Sequence, residues 1–216
     1  MTALDLAQDA AVLAIFLLVA FPVHEFSHAW TAFRLGDSTA RWQGRLTLNP
    51  IVHFDPIGGS LLAISIVLAG FGIGWAKPTP VNPYNLRYGR KGEALVAVAG
   101  PISNLVMAAI VAIPLRIIAS NPSMLETVRS SDISVFVLNV AYLFVQIDVL
   151  LMIFNLLPIP PLDGWRALLG LVDARTAYNL KPFEQYGFVV LILIIFIAPT
   201  FIGQLAQTIT TFLVGA

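Results

Sequence analysis

Apolar runs dominate the chain, and the polar residues that interrupt them set its organisation. The first run extends from about Leu6 to Phe33, with Gly36 as a stop signal. Residues 37–49, DSTARWQGRLTLN, alternate loosely and predict a short β-hairpin. A second apolar stretch, Ile57 to Trp75, is broken by five glycines and leads into the loop KPTPVNPYNLRYGRKG. A third run spans about Leu95 to Ile118, and a polar break at 120–134 precedes a fourth, Val135 to Leu157. The segment PIPPLDG must break that helix, because successive prolines remove donors and clash with the preceding turn. Residues 165–173 suit a short amphipathic helix, and a last run, about Phe188 to Ile202, predicts a kink at Pro199.

Runs of this length cross a bilayer. The chain has 216 residues, 58% hydrophobic and 11% charged, against about 25% charged in an ordinary soluble domain. The expected fold class is therefore an all-α polytopic membrane protein in one domain, 1–216. It should have about four transmembrane helices, one re-entrant or short apolar segment and the small β-hairpin. The absence of cysteine excludes disulfides and thiolate metal sites. Zero net charge without a basic cluster excludes a nucleic-acid partner. The first ten residues carry two aspartates and no Lys or Arg, which predicts a retained first helix rather than a cleaved signal.

Positive charge orients the spans. Segment 34–57 holds Arg34, Arg41 and Arg45; loop 76–92 holds Lys77, Arg87, Arg90 and Lys91; segment 158–187 holds Arg166, Arg175 and Lys181. The positive-inside rule places these three on the cytoplasmic side. The stretch 57–75 then leaves and re-enters the same leaflet, as a buried irregular segment can.

Two histidines and a glutamate stand inside the first run, at 24–28, as His-Glu-Phe-Ser-His. On a helix His24 and His28 share a face, a spacing that lets two imidazoles bind one zinc with Glu25 beside them as general base. Ionisable groups at membrane depth mark function. A catalytic zinc needs a third protein ligand and an open position. The only other histidine is His53, and the acidic candidates near membrane depth are Asp148 and Asp163. Prolines unwind the chain before Asp163, and Gly164 allows a sharp turn that can aim its carboxylate back at the histidines.

With HEFSH at 24–28, GPISN at 100–104 and NLLPIPPLDG at 155–164, the sequence resembles the site-2 proteases, which are intramembrane zinc metalloproteases. NPIVHFDPIGG at 49–59 and GWAKPTPVNP at 74–83 resemble that family's compact prokaryotic branch, without a PDZ or CBS domain. The resemblance implies that His24, His28 and Asp163 bind one Zn2+ per chain and that Glu25 is the catalytic carboxylate. It further implies cleavage of a transmembrane protein substrate, in a prokaryotic cell membrane, with the site toward the cytoplasmic leaflet. A re-entrant 57–75 brings the three motifs to one depth; a full crossing would separate Asp163 from His28 by about 30 Å.

Four further residues carry two readings each. His53 faces the site or fixes its own turn. Asn104 and Asn155 are substrate-binding or transition-state candidates; otherwise Asn104 joins helices and Asn155 satisfies carbonyls freed by Pro158. Asp148 orients a ligand histidine or bonds between helices. The PTPVNP run reads as a stiff loop, with a role in gating substrate as the second reading, and the hairpin as a strand edge for an extended substrate. The rival functions are a membrane metal transporter, against which the absence of an internal repeat argues, and an inactive client-binding relative, against which Glu25 argues. The sequence leaves the oligomeric state open.

Overall fold

A computed structural model describes residues 3–61 and 77–215. Helix α1 (Ala3–Ile15) passes through a wider turn, Phe16–Ala20, with π geometry into α2 (Phe21–Arg34). Two four-residue helices follow, α3 (Thr39–Trp42) and α4 (Pro50–His53). Beyond the 3₁₀ turn Pro83–Asn85 come α5 (Arg90–Ala119), α6 (Pro122–Arg129) and α7 (Asp132–Asn155). The C-terminal part holds α8 (Asp163–Leu171), α9 (Ala174–Leu180), α10 (Gly187–Ile197) and α11 (Pro199–Val214). Three helical stretches are long and apolar enough to cross a membrane: Ala10–Arg34, Arg90–Ala119 and Asp132–Asn155. A fourth candidate pairs Ala174–Ile195 with Thr200–Val214 across a 74° bend, at the predicted Pro199 break.

α5 is the central element; α2, α7, α8 and α11 all pack on it. Small residues permit close approach: Ala29 and Ala32 on α2 and Ala108 and Ala112 on α5 are all essentially inaccessible. Ala108, Ala112, Leu115, Val145, Val149, Ile153, Ile202 and Ala206 form the main apolar cluster between α5, α7 and α11. Pro101 and Pro114 lie inside α5 without ending it, as membrane helices tolerate.

The predicted hairpin at 37–49 is corrected: this stretch is turn and short helix, and no strand occurs among the described residues. The cause is local hydrogen bonding that competes with a ladder. The Asp37 carboxylate accepts from the Thr39 N–H (3.0 Å) and hydroxyl (2.5 Å) and starts a helical turn. Gly44, at φ 69°, ends it, and Arg45 turns inward to donate to the Val52 carbonyl at 2.5 Å. The strand edge proposed for substrate goes with the hairpin.

Asp37 also ties this loop to the next one. Its carboxylate accepts from the Asn82 N–H (2.7 Å) and the Asn85 side chain (3.1 Å). Burial alone would raise its pKa; the bonds from Thr39, Asn82 and Asn85 outweigh burial and hold it below the usual 3.8. The Arg87 N–H donates to the Leu35 carbonyl at 2.8 Å, and the Lys77 N–H to the His53 carbonyl at 3.1 Å. The end of α2 and the start of α5 therefore lie side by side. Most of the predicted re-entrant stretch 57–75 lies outside the described residues.

Candidate metal centre

His24 and His28 are buried on the face of α2 that packs against α5, and Glu25 is buried next to them in sequence. Each histidine has one ring nitrogen fixed by α5. His28 Nδ1–H donates to the Val96 carbonyl at 2.7 Å, and His24 Nδ1–H to Asn104 Oδ1 at 2.8 Å. A carbonyl oxygen can only accept, so in a neutral ring the proton sits on Nδ1 and the lone pair on Nε2. Gly100 lies between these two anchors. A Cβ there would stand 2.6 Å from His24 Nε2 and closer still to His28 Nε2, so only glycine lets the rings lie against the helix.

Asp163 arrives from the opposite side. α7 ends at Asn155, the prolines unwind 156–162, and Asp163 opens α8. Gly164 permits this turn, since any side chain would strike the Leu156 and Leu157 carbonyls. α8 is itself fastened to α5: Arg90 donates to the Leu169 carbonyl and, at 2.9 Å, to the Val172 carbonyl. Gly170 packs against Ala94, and Trp165 Nε1–H donates to Glu184 at 3.1 Å.

The result is a triangle of electron-pair donors. Asp163 Oδ2 is 3.1 Å from His24 Nε2 and 3.2 Å from His28 Nε2, and the two Nε2 atoms are 3.1 Å apart. Among the described residues these three form the one group able to share a metal ion. Three lone pairs aimed at one point, with both ring protons committed elsewhere, repel one another unless a cation lies among them. A tetrahedral zinc with nitrogen and oxygen bonds near 2.0–2.1 Å needs donors about 3.3 Å apart. The donor set and its spacing fit zinc.

Glu25 stands beside the triangle but not in it. Its Oε2 accepts from the Thr79 hydroxyl at 2.7 Å, and the same hydroxyl lies 3.2 Å from the Glu25 carbonyl. Thr79 is buried. It was hidden in the PTPVNP run, where nothing in the sequence links it to Glu25. Val96 was hidden too, because it contributes only its backbone carbonyl.

The other residues singled out from the sequence lie apart. His53 is fully buried; its Nε2–H donates to the Thr47 carbonyl at 2.8 Å, and its ring stands edge-on to Phe21. Asn155 Nδ2 donates to the Leu151 carbonyl of its own helix at 3.0 Å. Asp148 is fully buried in α7, and neither carboxyl oxygen has a partner among the described residues. The structure does not bring it to a ligand histidine: both Nδ1 atoms are engaged by Asn104 and Val96. Asn104 therefore occupies the orienting place that one of the two sequence readings gave to Asp148, and its Nδ2 is buried without a partner among the described residues.

Fold and site define a polytopic membrane metallopeptidase with an HExxH helix. The model of peptidase family M50 matches residues 10–198, and the chain belongs to that family. It is 41% identical over 187 residues to YwhC of Bacillus subtilis (strain 168), a protein carried under a provisional zinc metalloprotease name; the match covers 87% of this chain and 80% of that one. Two mycobacterial relatives, both called Rip2 and carrying the same provisional designation, are similar as well. The one from Mycolicibacterium smegmatis is 32% identical over 200 residues, covering 89% of this chain and 72% of the relative. The one from Mycobacterium tuberculosis (strain H37Rv) is 35% identical over 188 residues, covering 86% and 66%. No solved structure matches the chain.

Proposed function

We propose that this membrane metalloprotease is an endopeptidase that cuts peptide bonds within transmembrane segments of other membrane proteins. The metal is zinc. The single observation that carries the reading is the convergence of His24 Nε2, His28 Nε2 and Asp163 Oδ2 beside buried Glu25, with both histidines on a helix apolar enough to cross a bilayer.

His24, His28 and Asp163 hold the metal, and the Nδ1–H bonds to Asn104 and Val96 fix the histidine tautomers. When bound, zinc acidifies a water molecule and polarises the scissile carbonyl. Glu25 is the general base. Thr79 holds one of its carboxylate oxygens, and the other takes the proton of the attacking water and delivers it to the leaving nitrogen. Asn104 Nδ2–H, without a partner among the described residues, is the candidate donor to the substrate carbonyl as charge develops there. Asn155, half-buried at the end of α7, is a candidate contact to an extended substrate, whereas His53 fixes its own turn through Thr47 and Asp148 lies apart from the metal centre. The substrate helix must unwind locally, because its own hydrogen bonds shield the peptide. The basic flanks at 34–57, 76–92 and 158–187 support a site toward the cytoplasmic leaflet, in a prokaryotic cell membrane as the resemblance to the compact branch implies.

The test is Glu25→Gln in proteoliposomes with a transmembrane reporter. The variant should keep near-stoichiometric zinc and lose cleavage by about 10²–10⁴-fold. Wild-type cleavage, or loss of zinc, rules out the assigned role.

A further inference from the structure

α11 carries polar side chains on its outward face at membrane depth. Ile202 and Ala206 join the apolar cluster with Ala108 and Val149. Gln207 Nε2 donates to the Tyr142 hydroxyl at 2.8 Å, and Gln146 Nε2 donates to Gln207 Oε1 at 2.9 Å. Gln146 stands near the middle of the span Asp132–Asn155. At the other end of α11, Arg116 donates to the Phe212 carbonyl at 3.0 Å. The helix has 16 residues, rises about 24 Å and forms the second half of the fourth candidate span.

Gln204, Gln207, Thr208 and Thr211 recur at i, i+3, i+4 and i+7, so they form one stripe. The first three are exposed and Thr211 is half-exposed. The Thr208 hydroxyl bonds back to the Gln204 carbonyl. The Gln204 amide and the second N–H of Gln207 have no hydrogen bond among the described residues. Lipid tails offer these groups nothing, and leaving them bare costs several kcal/mol each in hydrocarbon. Another helix must cover them.

We propose that the covering helix is the same stripe of a second copy of this chain, so that α11 pairs with α11 across a two-fold axis. Carboxamides and hydroxyls are both donors and acceptors, so an uncharged stripe of them is complementary to itself under two-fold symmetry. Gly203 adjoins the stripe with open space beyond its Cα, which lets a second backbone come close. The pairing also leaves the metal centre free. The histidines meet α5 through Val96, Gly100 and Asn104, whereas α11 shares its core with Ala108, Ala112 and Leu115, further along. A substrate helix on the stripe would lie away from Glu25.

The cysteine-free chain allows a direct test in liposomes. Gln204→Cys, Thr208→Cys and Thr211→Cys should each form disulfide-linked dimers under mild oxidation, while the exposed controls Ile110→Cys and Leu193→Cys should not. Stripe cysteines that cross-link no better than the controls overturn the proposal. Independently, fluorophore-labelled wild type should bleach in two steps at high dilution in lipid. Gln204→Leu, Gln207→Leu and Thr211→Val should each weaken association about threefold per interhelical bond lost, with zinc content retained as the check on folding. A monomeric wild type, or folded variants that associate as tightly as wild type, contradicts it.

Discussion

Replacing Gly100 by alanine adds one methyl group and should cost the enzyme its metal. In an ordinary helix the change is favourable by about 1 kcal/mol. Here the new Cβ would lie 2.6 Å from His24 Nε2, where ordinary contact begins at 3.4 Å. The shortfall is roughly 0.8 Å against the usual carbon contact distance. The rings cannot swing away freely, because Asn104 and the Val96 carbonyl hold their Nδ1 atoms at 2.8 and 2.7 Å. Metal ligands tolerate displacements of only about 0.2 Å. Overpacking of this kind costs about 1–3 kcal/mol, which converts to about a 5–150-fold loss in zinc affinity. Without metal the helix gain offsets much of the strain, so the zinc-free variant should melt near the wild-type temperature. Chelator competition measures the affinity, and melting with and without zinc separates metal loss from misfolding. Wild-type zinc affinity in Gly100→Ala would refute the geometry on which the site rests.

Asp163→Ala should reduce zinc affinity sharply, whereas Asp148→Asn should leave it within about tenfold of wild type; equilibrium dialysis against zinc gives the order, and the reverse order reassigns the third ligand. Asn104→Leu frees the His24 ring and should cost about 10–100-fold in zinc affinity or activity; an unchanged value would make Asn104 simple helix packing. Asp37→Asn removes the charge that Thr39, Asn82 and Asn85 stabilise. Because the folded pKa is depressed, that stability is fully present above the usual 3.8 and is lost as pH falls through the folded value. The melting difference between wild type and Asp37→Asn should therefore shrink below about pH 4. Single cysteines at Arg41, Lys77 and Lys181 should react with an impermeant reagent from one side and Ser123→Cys from the other; labelling of position 77 with 123 would mean that 57–75 crosses.

The residues that converge at the candidate metal centre, and the order of spans, were legible because their signals are local. A two-histidine helix face, proline breaks and apolar length each lie within a few consecutive residues. The hairpin expectation failed for a related reason. Residues 37–49 alternate, but Asp37 and Arg45 bond to nearby backbone and win over a strand ladder that would need a distant partner. The surroundings of the candidate metal centre were hidden because they join residues far apart in the chain: Thr79 on Glu25, Asn104 on His24, and a backbone carbonyl on His28. GPISN marked the right helix, yet nothing in its letters says that Gly100 is there to keep a side chain out.

The central claim is that one zinc, held by His24, His28 and Asp163, cuts a peptide bond inside the bilayer. The direct measurement is mass spectrometry of reporter fragments from metal-stripped protein in liposomes, titrated with zinc. The account predicts that cleavage saturates near one zinc per chain and that the severed bond lies within the reporter's apolar segment. Cleavage without metal, or only at bonds outside the apolar segment, would contradict it.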